Sequence, residues 1–166
     1  MKPFEMKPFT FSIDLAVPSQ WRNVDLVRTS VQNCFTAVFS DVEGCNAIAM
    51  VTGELVENAI KYGHWSGDNK SFRLQVKGSL GAVTVQVENP MDPAHPRTEE
   101  LRGCVRLING FPTALAAYQA KLLEIAARPD TFSGLGLVRC AYEGNSKLRV
   151  EAIDDSVLRV IAEMTF

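Results

Sequence analysis

The chain has 166 residues, 46% of them hydrophobic and 22% charged, with a formal net charge of −2. Those values suit one globular domain with a sizeable core, and they leave no basic excess for binding nucleic acid. No apolar run approaches the roughly 20 residues that span a bilayer. The opening MKPFEMKPF lacks the apolar region of a signal peptide, and Cys34, Cys45, Cys104 and Cys140 form no CxxC or His-paired zinc pattern, so reduced thiols in the cytoplasm are expected.

The repeated Met-Lys-Pro-Phe reads as a frayed tail over residues 1–9, or else as a swapped or partner-docking arm. From Thr10 the alternation of Phe11, Ile13 and Leu15 with Ser12 and Asp14 predicts a strand. Pro18-Ser19 opens a helix to about Phe39, with Val24, Val27, Val31, Phe35 and Val38 as its apolar stripe. A second helix is expected from Val42 to Tyr62, stopped by Gly63. Two strands follow, Ser71–Lys77 and Ala82–Glu88, joined as an antiparallel hairpin by Gly78-Ser79-Leu80-Gly81. The proline-rich stretch Asn89 to Pro96 reads as a loop.

Arg97 to Ile108 predicts a short helix, and Pro112 to Ala127 a longer one with Pro112 in its first turn. In the second of these, Leu115, Tyr118, Leu122 and Ile125 form an apolar stripe. It is most simply core, and otherwise a dimer or partner surface. Thr131 to Gly136 reads as a glycine-bearing loop running into a helix, Leu137 to Tyr142. Two closing strands, Leu148–Ile153 and Val157–Phe166, pair across Asp154-Asp155-Ser156. Segregated helices and strands predict an α+β two-layer sandwich: a mostly antiparallel, mixed sheet covered on one face by helices.

Two features carry chemistry. On the second helix, Ile48, Val51, Leu55, Ala59 and Tyr62 share the core face, while Glu54, Asn58 and Lys61 share a polar stripe. A carboxylate can orient or deprotonate a nucleophile, and an amide oxygen can ligate Mg²⁺. The plain alternative is a solvated face with a Glu57–Lys61 ion pair. The second feature is Gly134-Leu135-Gly136 at a helix start, preceded by Ser133. Glycines there let phosphate oxygens approach free backbone N–H groups at the positive end of the helix dipole. The plain alternative is a tight loop.

Together, and in this order, the two features resemble known boxes. Glu54-Leu55-Val56-Glu57-Asn58-Ala59-Ile60-Lys61-Tyr62-Gly63 resembles the N-box of GHKL (histidine-kinase-like) ATPases, most of all that of anti-sigma-factor serine kinases. Gly134-Leu135-Gly136-Leu137-Val138-Arg139 is similar to the family's second glycine box. The resemblance spans roughly Phe9 to Phe166. It implies a Bergerat-type, HATPase_c-like fold as a single domain over residues 10–166, with a lid. It also implies an ATP site with Glu54 as general base, Asn58 as Mg²⁺ ligand, and Lys61, Ser133, Gly134, Leu135 and Gly136 around the phosphates. Kinase members transfer the γ-phosphoryl group to a small STAS-domain antagonist, or act on a sigma factor. Members commonly form dimers.

One box departs from the family pattern. Where the family has Asp-x-Gly-x-Gly to receive adenine, this chain has Asn89-Pro90-Met91-Asp92. Asn89 takes the Asp position, Asp92 is the substitute if the loop shifts, and neither glycine is present. The helical insert at about 97–128 resembles the layout of SiaB-type kinase-like proteins. The expected function is therefore an ATP- and Mg²⁺-dependent regulatory kinase acting on a protein partner. The alternative is a non-catalytic pseudo-kinase that sequesters a partner or serves as a docking scaffold. His64 and His95 read as a helix-end and a loop histidine, and Trp21 and Trp65 as packing residues.

Overall fold

A computed structural model describes residues 8–17, 24–38, 41–65, 70–79, 81–128 and 134–166. The elements run β1 (Phe9–Val17), α1 (Val24–Val38), α2 (Val42–Tyr62), β2 (Lys70–Ser79), β3 (Ala82–Pro90), α3 (Pro96–Gly110), α4 (Ala114–Ala127), α5 (Leu135–Tyr142), β4 (Ser146–Ala152) and β5 (Val157–Thr165). The five strands form one open sheet in the order β1-β2-β3-β5-β4, and every pairing is antiparallel. The α+β sandwich expected from the sequence is thus observed, with no parallel pair in the sheet.

The strand period of two separates the faces of the sheet. One register row, Ile13–Leu74–Val87–Val160–Val150, points into the helices. The next row, Asp14–Arg73–Glu88–Arg159–Glu151, points out and alternates in charge across all five strands. Its contacts are Arg73–Asp14 at 2.8 Å, Arg73–Glu88 at 3.4 Å, Arg159–Glu88 at 2.6 Å and Arg159–Glu151 at 3.6 Å. The core between sheet and helices is filled by residues such as Phe72, Leu74, Val76 and Val85 from the strands. Ile48, Val51 and Leu55 of α2 meet them, all buried.

α2 keeps the predicted bounds. Asp41 caps it by accepting from the Gly44 N–H at 3.1 Å, and the Trp65 indole closes its far end by donating to the Ala59 and Ile60 carbonyls. Four expectations change. Asn89 and Pro90 are not loop: β3 runs through Pro90, which needs no N–H at a strand end and whose carbonyl accepts from His64 N–H. Pro112 lies outside α4, before the Thr113 cap. α5 starts at Leu135, two residues earlier than expected, behind Gly134 at φ +55°. The apolar stripe on α4 is only partly core: Tyr118 packs against the core and Ile125 is half-buried, but Leu115 and Leu122 are 42% and 43% exposed. The fully buried residues of α4 are Ala117 and Lys121, because alanine lets α3 and α5 approach closely. The first Met-Lys-Pro-Phe, Pro18-Ser19 and Trp21 lie outside the described residues.

Candidate functional site

The helix spacing of Glu54 and Asn58 sets them one turn apart on α2. The Glu54 side chain is 13% exposed and lies against the first turn of α5; a Cβ on Gly136 would overlap its carboxylate. The two boxes quoted from the sequence therefore touch. That carboxylate already has a cation. Arg139, from the same α5, donates Nη1 to Glu54 Oε1 at 2.7 Å, and its Nε donates to Glu143 at 3.1 Å. Burial pushes the Glu54 carboxyl above its ordinary value, and the Arg139 charge only partly offsets this. Glu54 thus has a raised pKa, with one of its two oxygens, Oε1, held in a salt bridge.

Asn58 points elsewhere. It shares a cleft with Tyr62, Asn89, Met91, Arg97, Thr98 and Leu101. Its Nδ2 is buried with no hydrogen-bond partner among the described residues. Asn89 is buried, and its Nδ2 donates to the Pro90 carbonyl at 2.9 Å, so its amide donor is used within the turn. Asp92 holds the next turn, accepting from Ala94 N–H at 2.9 Å through its side chain and from the Thr98 hydroxyl through its carbonyl. His95 caps α3: its Nδ1 accepts from Arg97 N–H at 3.2 Å. Arg97 reaches back over the cleft mouth, 5.9 Å from the Tyr62 ring centroid, and donates to the Lys61 carbonyl at 3.3 Å.

The cleft is nearly full. Met91, Leu101, Leu158 and Val160 close it to about 10 Å³, the space of a single water. Sites for small molecules of nucleotide size measure about 300–1,000 Å³. Neither Gly134 nor Gly136 is among the residues that line this cleft.

The structure brings together Glu54 with Gly136, and Asn58 with Asn89. Lys61 is exposed, 5.8 Å from the Tyr62 ring, and makes no ion pair with Glu57 among the described residues. Leu135 packs on the core, and Ser133 lies outside the described residues. Two residues given no role from the sequence matter here. Arg139 carries no local signal, since its partner is 85 residues away. Arg97 could have been suspected as the only cation in the proline-rich stretch and first turn of α3.

No family model matches the sequence, and no curated protein does. Among solved structures, the fold is similar to that in the crystal structure of the SiaB–SiaC complex from Pseudomonas aeruginosa. The TM-score is 0.65 at 13% sequence identity, over 94% of this chain and 89% of that chain. At that identity the likeness is one of fold.

Proposed function

We propose that this chain is a regulatory protein that acts by binding a protein partner, on a kinase-like fold whose nucleotide cleft is closed. The observation that carries this reading is the closed space between Asn58 and Asn89, about 10 Å³. Met91 stands where the resembled family has a glycine box, and a buried methionine fills space that a glycine would leave open. The Glu54–Arg139 pair works in the same direction, because a fixed cation beside a carboxylate lowers its basicity. A protein partner is supported by the fold likeness to a protein described in complex with another. A STAS-domain antagonist or a sigma factor is the class of partner that the resemblance suggests.

A second reading has its own observation. Glu54 and Gly136 are in contact, and the Asn58 Nδ2 has no hydrogen-bond partner among the described residues. Those are residues the resemblance assigns to the base, the phosphates and the metal of a serine/threonine kinase. This reading requires the Glu54–Arg139 pair to open and α3 to move off the cleft. Titration calorimetry with ATP and Mg²⁺ separates the two. Absence of binding at millimolar nucleotide is the result expected here. Mg²⁺-dependent binding that Asn58→Ala abolishes would replace the closed-cleft reading with the kinase one.

A further inference from the structure

The side of α3 turned away from the closed cleft carries Arg102, Arg106 and Asn109. With β4 it encloses an open groove of about 380 Å³. The strand contributes four consecutive residues, Leu148 to Glu151. Consecutive strand residues point to opposite faces of a sheet. A groove lined by all four therefore runs along the edge of the strand, not over one face. β4 is the last strand and pairs only with β5. Its outer edge presents backbone donors and acceptors with no neighbouring strand among the described residues.

Asn109 reveals their direction. Its Nδ2 donates to the Leu148 carbonyl at 2.9 Å, so that carbonyl faces α3. By the two-residue period, the N–H and C=O of Val150 face the same way. The groove thus offers the next strand position of the sheet.

Its charge is also set. Three arginines and one glutamate line it. Arg106 pairs with Glu99, and Arg149 pairs with Glu163 at 2.7 Å and Glu151 at 3.5 Å. Arg102 has no carboxylate within 4.0 Å among the described residues. A strand edge beside Arg102, which keeps a guanidinium without a carboxylate partner among the described residues, combines two recognition devices: main-chain bonds for affinity and a guanidinium for an acidic side chain.

We propose that this groove docks an extended acidic segment of a protein partner, which adds to β4 as a sixth strand. The inference rests on the reading of the chain as a partner-binding regulator, but it uses a surface separate from α2. A second copy of the chain fits worse, because pairing two β4 edges would set one arginine-lined groove against another. A nucleic acid would meet the arginines but could not match the alternating donors and acceptors of a strand edge.

Fluorescence anisotropy with a labelled peptide of alternating Glu and Val tests the proposal. A Lys-for-Glu version of the peptide and a short oligothymidylate serve as competing probes. The acidic peptide is expected to bind, and the lysine version is not. The double variant Arg102→Glu, Arg106→Glu should weaken binding about tenfold, and Asn58→Ala should leave it unchanged. Amide shifts of the ¹⁵N-labelled wild-type protein should change along residues 147–152 on adding peptide, a readout that does not depend on any variant folding. No binding at millimolar peptide, equal binding of both peptides, binding of the oligothymidylate alone, or shifts clustered elsewhere would each overturn the proposal. Nucleotide plays no part in this assay, so its failure would leave the closed-cleft reading standing.

Discussion

α3 has two working sides, and they treat space differently. Toward α2 it presents Thr98 and Leu101, which seal a cleft against Leu158 and Val160 down to the volume of one water. Toward β4 it presents Arg102, Arg106 and Asn109, and there a groove some 380 Å³ in volume stays open. The difference follows from side-chain chemistry. Leucine fills space because leaving it unfilled forfeits dispersion contacts and apolar burial. Arginine lays its stem along a surface but keeps its head in water, so it cannot seal a cavity. One helix therefore shuts the cleft between Asn58 and Asn89 and leaves another place open at the edge of the sheet.

Three substitutions would break or sharpen this contrast. The largest effect is expected at Met91, buried in the wall of the closed cleft. Met91→Ala should cost about 2–5 kcal/mol in urea denaturation, by lost burial and a new cavity. A cost near zero would mean that packing does not hold the cleft shut, and the contrast would fail. Next is Asn109→Ala, which removes the bond to the Leu148 carbonyl. The carbonyl regains water in the open groove, so the cost should be about 0.5–1.5 kcal/mol by the same measurement. A loss as large as that at Met91 would show the groove to be sealed like the cleft.

The smallest effect is expected at Glu54. Burial raises its folded pKa above the unfolded value of about 4.3. A group raised in this way contributes stability that is complete below the unfolded pKa and is lost as pH rises through the folded one. Glu54→Gln removes that loss and also the Arg139 ion pair, while Arg139 keeps Glu143. The melting temperature of the variant should therefore gain on wild type between pH 4 and pH 7, by the equivalent of under about 1 kcal/mol. A wild-type advantage that grows with pH would mean that the Arg139 pair outweighs burial.

Much of the scaffold was legible because its signals are local. The bounds of α2 follow from a 21-residue apolar period and Gly63. The β2–β3 hairpin follows from two alternating runs and a glycine turn. The contact between Glu54 and Gly136 was anticipated only through resemblance, not through spacing. What stayed illegible depends on tertiary arrangement. Leu115 and Leu122 of α4 have a core-like period yet face outward, because the neighbouring helices met the alanine side instead. Arg139 neutralises a residue 85 positions away. Closure of the cleft needs α3, Met91 and β5 at one point, and no window of sequence contains all three.

The charged row on the open face of the sheet has a consequence for assembly order. Asp14, Arg73, Glu88, Arg159 and Glu151 sit one per strand and alternate in sign across β1-β2-β3-β5-β4. If β1 docked against β3, skipping β2, Asp14 would face Glu88, acid on acid. If β2 docked against β5, Arg73 would face Arg159. Any transposition that skips one strand sets like charges side by side, which disfavours the pair. The row thus acts as an address code, written in five residues spread from position 14 to position 159, that distinguishes the native neighbour of each strand from the neighbour once removed.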